Sequence, residues 1–293
     1  MRNIALAIIV ALFAPAALAE TKPLKVGVTL HPYYSWTANV IAGVEGAEVR
    51  SILPGEVDAG NYQPSPDDIK KLGDLDAIVI NGIGHDDFIL GMIKASGNDH
   101  LLIIRPNEVT PTIRSLHGGA PNSHTFISFT NAIQQAYYIA KQLATLRPES
   151  ASAFQKNAAE YAKRLRVIKA AAATRLAEAK VNRVVTVHDG YSYLLHEFGI
   201  EVAGVVEPSH GLVPSAKELT ELVELLKREN IRVVFSEESF PKKLLEVLER
   251  ETAVRVYLIS HIATGTYAPD KFEREMKANT EALIKALVTD PKA

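Results

Sequence analysis

The histidines of this sequence lie at positions from which several side chains could bind one metal ion. Six of the nine either follow a short β-branched run or open a helical segment; His188 directly follows residues 184–187 and His261 follows residues 256–259. The neutral imidazole nitrogen is the commonest protein ligand for metal ions near neutral pH. Histidines gathered at strand ends therefore predict a metal site. The six are His31, His85, His124, His188, His210 and His261.

The residue types available limit which ion such a site would take. The sequence contains no cysteine, so it offers neither thiolate ligands nor disulfides. A histidine-rich set with one carboxylate suits zinc, whereas a more oxygen-rich set suits manganese. Glu237 or Glu238, after a predicted strand, is a candidate for that carboxylate. For any single histidine, a hydrogen-bonded structural role remains the alternative.

Two acidic residues follow His85 and have two possible roles. Asp86 and Asp87 either orient the His85 ring or cap the helix that begins there. For Asp86 we favour the capping role.

The motifs that would indicate catalysis are incomplete. Residues 196–200 read His-Glu-Phe-Gly-Ile and lack the second histidine of a zinc protease helix. Residues 190–194 read Gly-Tyr-Ser-Tyr-Leu and lack the final glycine of a nucleophile elbow. We therefore predict that the chain is not an enzyme. A zinc hydrolase remains the less favoured alternative, because three histidines and a water would also suit one.

The alternation of strands and helices predicts how these side chains are positioned. Eight apolar, β-rich runs fall into two series of four, with helical patterns between them, which is typical of parallel sheets covered by helices. Ligands of open α/β sheets bind beyond the carboxyl ends of the strands. Two similar α/β lobes would therefore form a cleft lined by the histidines. The runs are 25–30, 49–53, 77–80, 101–104, 183–187, 201–206, 232–236 and 255–258.

One long helix is predicted between the two series. Apolar residues recur at three- and four-residue steps from Ala151 to Leu176, and neither Gly nor Pro interrupts residues 149–180. At ~1.5 Å per residue this helix would extend roughly 45 Å. We interpret it as a rigid connection between two lobes; a surface helix on a single domain is the alternative. The predicted units are an N-terminal lobe at 20–146, the linking helix at 147–180 and a C-terminal lobe at 181–293.

The first residues have the pattern of an export signal. Arg2 precedes an apolar stretch at 4–17 that is shorter than the roughly 20 residues of a bilayer span, and Ala17-Leu18-Ala19 resembles a signal peptidase site. We expect a signal peptide at 1–19, cleaved after Ala19, a periplasmic location and no lipid anchor. The formal net charge of −2, without a basic patch, argues against a nucleic-acid partner.

Several segments together resemble one protein family, the zinc- and manganese-binding solute-binding proteins of ABC transporters, whose two lobes are joined by one long helix. The order and spacing of these segments carry the resemblance. They are Ile-Leu-Pro-Gly at 52–55, Tyr-Gln-Pro-Ser-Pro at 62–66, Asn-Ser-His at 122–124, His-Asp-Gly-Tyr at 188–191, Glu-Pro-Ser at 207–209 and the run 272–279.

The resemblance implies a ligand set that this chain matches only in part. His124 and His188 match two metal ligands of the family. Gly60 stands where the family has a histidine, and His261 lies where it has an acidic residue. Either His31 or His85 replaces the missing ligand, or three protein ligands and a water bind the ion, or metal binding has been lost.

These implications complete the set of expectations for the chain. The expected metal ligands are His124, His188, His261, His85 and His31. The expected cargo is zinc, with manganese as the alternative, and the expected partner is the membrane permease of an ABC importer. We expect the chain to be a monomer. Transport of a metal chelate or other small ligand, or a role as a periplasmic metal chaperone, are the alternatives.

Overall fold

The computed structural model describes residues 22–116, 119–207 and 213–289, with only the backbone of Asn61. The expected signal peptide at 1–19 and His210 lie outside the described residues. Across these three ranges, no helix combines the length and apolar character that crossing a bilayer requires.

The first half forms a four-stranded parallel sheet. Its strands are β1 (Leu24–Val28), β2 (Ala47–Ser51), β3 (Ala77–Val79) and β4 (Leu102–Ile104), in the order β2-β1-β3-β4. The intervening helices are α1 (His31–Val40), α2 (Pro66–Lys70) and α3 (Phe88–Ser96). Ser65 caps α2 in a capping box with Asp68. The chain leaves β1 and β3 toward the same edge of the sheet, because parallel strands share their carboxyl edge.

Two packed helices connect the halves. Helix α4 spans Phe129–Leu146 and α5 spans Ala151–Leu176, after a short 3₁₀ helix at Pro148–Ser150. Helix α5 is 26 residues long, or about 39 Å. It ends before residue 180, where the amide of Lys180 instead donates to the carbonyl of Leu287.

The second half repeats the architecture of the first. Strands β5 (Arg183–Thr186), β6 (Glu201–Val205), β7 (Val233–Ser236) and β8 (Arg255–Leu258) form a parallel sheet in the order β6-β5-β7-β8. Its helices are α6 (Ser192–Glu197), α7 (Ala216–Arg228), α8 (Lys242–Glu251) and α9 (Lys271–Ile284), followed by a π-helical turn at Lys285–Thr289. The predicted fold class of two parallel α/β lobes with a long helix between them is confirmed.

A continuous hydrophobic core joins the two sheets through the connecting helices. Phe154, Tyr161 and Leu165 on α5 are fully buried and belong to the same cluster as Val28 of β1 and Phe235 of β7. A smaller cluster lies under α7 and α8. Because close-packed cores resist deformation, the shared cluster holds the carboxyl edges of the two sheets in a defined relation.

Glu197 at the end of α6 links the second half to the start of α4. Its carboxylate accepts hydrogen bonds from the backbone amides of Phe129 (2.9 Å) and Thr130 (2.6 Å). An anion at a helix N-terminus is favourable because it meets unsatisfied N–H groups and the positive end of the helix dipole. The linked helices begin shortly after His124 and His188, so this contact holds together the two segments that carry those histidines.

Candidate metal centre

Three buried histidines from different parts of the chain meet between the sheets. One ligand nitrogen from each of His124, His188 and His261 lies within 4.8 Å of the others. The Nε2 atoms of His124 and His188 are 2.9 Å apart. Three imidazoles this close, in a buried site, are a donor set that suits a divalent transition metal. The structure thus brings together three of the five predicted ligands.

The tautomer of His124 directs its lone pair toward the other two rings. Its Nδ1 lies 2.9 Å from Oδ1 of Asn122, and this oxygen also accepts from the His124 backbone amide. The Asn122 amide nitrogen donates to the carbonyl of Asp189, which fixes the orientation of the amide. An oxygen acceptor at Nδ1 places the proton there, so the lone pair is on Nε2, the atom that faces His188.

His188 and His261 each have a carboxylate facing the Nδ1 side of the ring. Glu207 Oε2 lies 3.5 Å from Nδ1 of His188, and Asp58 Oδ2 lies 3.6 Å from Nδ1 of His261. Both Nε2 atoms point toward Gly190, at 3.0 and 3.1 Å from where its Cβ would be. All three rings therefore present Nε2 to one another and Nδ1 to an oxygen. Such oxygens orient ligand rings and raise their basicity toward a metal.

The backbone around His261 is held by a network on α9. Asn279 accepts from the amide of Ser260 (2.6 Å) and donates to its carbonyl (2.8 Å). Ile262, the next residue after His261, adopts a left-handed φ of 59°. This conformation is unfavourable for a β-branched side chain. The strained turn directs His261 back across the end of β8 toward the other rings.

His85 lies beside the three-histidine group rather than in it. Its ring centroid is 5.0 Å from that of His124 and 5.9 Å from that of His261, and its Nε2 is 3.7 Å from Oδ1 of Asp58. Asp86 does not cap α3, so that expectation is wrong. It is fully buried and accepts from the amides of Asn81 and Gly82 and from the hydroxyl of Thr29. These bonds shape the loop that carries His85, and burial raises the pKa of the Asp86 carboxyl.

His31 is not brought into the group, although it follows β1 as predicted. Its Nε2 donates to the carbonyl of Gly55 at 3.0 Å, and its ring stacks on Tyr267 at 3.8 Å. The Gly55 carbonyl also accepts from the amide of Gly265. His31 thus joins the segment that leads to Asp58 with the segment that follows His261. It contacts the loops around the site and is not part of the three-histidine group.

The burial of His31 makes stability depend on pH. Burial lowers the pKa of His31 from 6.5 to about 4. Between these values the unfolded chain binds a proton that the folded chain does not, so the free energy of unfolding falls as the pH drops from 6.5 to 4. The loss is about 3 kcal/mol at 1.36 kcal/mol per pKa unit. Well above pH 6.5 the ring is neutral in both states and contributes no pH dependence.

This prediction is checked by denaturant unfolding of the parent and His31→Gln between pH 4.5 and 7. Glutamine keeps a donor for the Gly55 carbonyl but has no proton to gain. We expect the free energy of unfolding to fall less steeply with acidification in the variant. Identical slopes in the two proteins would contradict the assignment.

An acidic cavity of about 650 Å³ opens beside His261. His261, Asp58 and Glu207 line it, together with Glu237 and Glu238. Carboxylates lining a cleft raise the local concentration of cations. Glu237 and Glu238 thus face the same space as His261, although they are not in the three-histidine group.

Sequence reasoning missed the oxygen atoms behind the rings. Asp58 stands two residues before Gly60. The resemblance singled out Gly60 only because a glycine has no side chain that could bind a metal. Asn122 and Glu207 lie within the family-like segments, yet nothing in their spacing shows which histidine each one faces. That pairing depends on the approach of loops far apart in sequence.

Comparisons with known proteins agree with this fold. Residues 26–286 match the family described as "Zinc-uptake complex component A periplasmic" (ZnuA). The solute-binding protein FpvC of Pseudomonas aeruginosa in complex with Mn²⁺ has a TM-score of 0.85 and 41% identity, covering 91% of this chain and 98% of FpvC. FpvC in complex with Ni²⁺ gives a TM-score of 0.84 at the same identity.

More distant relatives share the same region. The zinc-binding lipoprotein AdcA of Streptococcus pneumoniae is 26% identical over 280 residues, covering 90% of this chain and 55% of AdcA. The chain therefore spans about half the length of the AdcA relatives that it matches. The laminin-binding protein Lmb of Streptococcus agalactiae, at 20% identity, shares the fold with a TM-score of 0.79, covering 90% of this chain and 99% of Lmb. Since the family match extends over most of the sequence, the resemblance is confirmed, and the chain belongs to the ZnuA family of periplasmic metal-binding solute-binding proteins.

Proposed function

We propose that this protein captures a divalent transition-metal ion, with zinc the first candidate, in the periplasm and delivers it to the membrane permease of an ABC importer. The proposed ligands are the Nε2 atoms of His124, His188 and His261, and His85 is an adjacent fourth imidazole. The proposal treats the ion as cargo, the protein as a monomeric carrier and the chain as having no catalytic step.

The observation that carries this proposal is the common orientation of three buried imidazoles. Each has its Nδ1 facing an oxygen, from Asn122, Glu207 or Asp58, and its Nε2 facing the other rings. A purely structural histidine needs one hydrogen-bond partner and gains nothing from two further imidazoles at its other nitrogen. A shared cation explains why three are assembled.

The three-imidazole group favours zinc, and the ions bound by relatives add manganese and nickel as candidate cargo. Three nitrogen ligands with room for a fourth group match the tetrahedral preference of zinc. AdcA is named as zinc-binding, which supports the same cargo here. FpvC has been solved with Mn²⁺ and with Ni²⁺, which supports a site that also accepts those ions. The acidic cavity supports capture of a free cation over an anionic chelate.

Calorimetric titration of the metal-stripped full chain with ZnCl₂ tests the proposal. We expect one saturable tight site per chain. The zinc-loaded protein should show no metal-dependent hydrolysis of ester, amide or phosphate substrates, because the proposed role requires release of an intact ion. The absence of saturable binding for zinc, manganese and nickel would overturn the proposal.

A further inference from the structure

Helix α9 carries a buried ion pair next to the turn that holds His261. Lys271 is 4% exposed, and its Nζ lies 2.6 Å from Oε1 of Glu275, one helical turn further along the chain. Removing two charges from water is costly, and a buried ion pair generally stabilises a fold no more than an apolar pair of similar volume. The free energy of folding therefore does not by itself account for this pair, and its further bonds indicate another role.

Glu275 holds the beginning of the turn. Its Oε2 accepts a hydrogen bond from the hydroxyl of Ser260, the residue directly before His261. The same hydroxyl accepts from the backbone amide of Ile262, the residue directly after His261, at 3.0 Å. A chain of hydrogen bonds thus runs from the Glu275 carboxylate to the backbone on both sides of His261.

Lys271 holds the end of the same turn. Its Nζ donates to the carbonyl of Thr264 at 2.8 Å. Gly265 leaves room for this approach, since it has a φ of 103° and a Cβ there would lie only 3.3 Å from Nζ. Residues 260–264 are therefore bonded to α9 at both ends, through the two members of one ion pair.

The turn needs such bonds because its backbone conformation is unfavourable on its own. Ile262 has a φ of 59°, and a residue other than glycine persists in that region only where the surrounding structure imposes it. If the bonds to α9 are lost, we expect Ile262 to return to a negative φ and the backbone at His261 to rotate. The ring would then have to be ordered when an ion binds, which lowers the affinity.

We propose that Lys271 and Glu275 are positioning residues of the metal site. Their ion pair fixes the turn that places the His261 ring beside His124 and His188. This inference rests on the proposed function, in which His261 is a ligand. The pair raises affinity without touching the ion, because it holds the ring in place before the ion arrives.

Glu275→Gln breaks the ion pair and keeps the size of the side chain. Glutamine has one carbonyl oxygen and no charge, so it cannot reproduce the contacts that two carboxylate oxygens make with Lys271 and Ser260. We expect calorimetric titration of the metal-stripped full chain to show zinc affinity lower by about tenfold, the low end of what outer groups contribute to metal sites. Ser260→Ala keeps the ion pair but cuts its link to the turn, so it should show a similar loss and provides the test if Glu275→Gln does not fold.

Glu273→Gln is the matched control. Glu273 also lies on α9, and its side chain is 18% exposed, against 19% for Glu275. It pairs at 2.8 Å with Arg164 of α5 instead of with a residue beside the turn. The change removes a similar ion pair from the same helix, so we expect Glu273→Gln to bind zinc like the parent.

A double-mutant cycle with His261→Ala distinguishes positioning from general destabilisation. Changes in residues that act through one another are not additive. Once the His261 ring is gone, its placement no longer matters, and Glu275→Gln should lower the remaining zinc affinity by less than about twofold. A merely structural defect would weaken zinc binding equally in both backgrounds.

The possible results separate the inference from the proposed function. Weaker zinc binding in Glu275→Gln and Ser260→Ala, parental binding in Glu273→Gln and no further loss in the His261→Ala background support positioning. Parental affinity in folded Ser260→Ala and Glu275→Gln, an equal loss in Glu273→Gln, or a full further loss in the His261→Ala background overturns the inference and leaves the proposed function standing. No saturable binding of zinc, manganese or nickel by the parent overturns both.

Discussion

Alanine at His124 or at His188 is expected to weaken zinc binding by about a hundredfold or more, since each change removes a first ligand and outer partners alone contribute 10- to 100-fold. The two Nε2 atoms are 2.9 Å apart, so one ion within bonding distance of one is within reach of the other. Losing either leaves two imidazoles and a site open to water. Each single variant should lose nearly as much as the double variant, because the ligands act as a unit.

Calorimetric zinc titration of the stripped variants measures this effect. His100→Ala is the control: it removes an exposed histidine that follows α3, far from the group, and should bind like the parent. Circular dichroism should show that each variant keeps its secondary structure. Parental affinity in His124→Ala would contradict the proposed site.

A single methyl group at Gly190 is expected to disrupt the same site without removing any ligand. A Cβ there would lie 2.7 Å from Cδ2 of His188 and 3.1 Å from Nε2 of His261. Carbon atoms do not approach so closely, and both rings are buried, so the rings must shift away from each other. We expect Gly190→Ala to lower zinc affinity at least about tenfold, and overpacking to lower the free energy of unfolding by ~1–3 kcal/mol.

Gly91→Ala provides the matched control for this substitution. Gly91 is exposed within α3, and a Cβ there would meet nothing within 4 Å. Alanine should therefore raise the free energy of unfolding by ~0.5–1 kcal/mol, because glycine is a poor helix former, and leave zinc affinity unchanged. Denaturant unfolding measures the stability of both variants, and calorimetry measures their zinc affinity. A Gly190→Ala protein that folds and binds zinc like the parent would refute the packing argument.

The fold was predictable because its signals are local. All eight strands appear within two residues of the predicted runs, and both sheets are parallel. Period-two and period-3.6 patterns reflect the burial of one face of each element, so they are present in the sequence itself. The C-terminal end of the long helix was predicted less accurately. Residues 177–180 continue the helical sequence pattern, but the amide of Lys180 donates to the carbonyl of Leu287 instead of extending the helix.

The site was predictable only in part. Position after a strand indicated His188 and His261, and position before a helical segment indicated His124; these three side chains do meet. The same rule also indicated His31, whose ring bonds to Gly55 and stacks on Tyr267. Position along the chain identifies the edge of the sheet, whereas the direction of a side chain depends on the loop packed against it.

The sequence by itself therefore determined the two parallel lobes, the long helix between them and a surplus of imidazoles at the strand ends. Only the tertiary structure decided which three imidazoles converge and which oxygen faces each Nδ1. The physical reason is the range of the interactions. Helix and strand propensity act over a few residues, but the contact of Asp58 with His261 depends on packing between segments about two hundred positions apart.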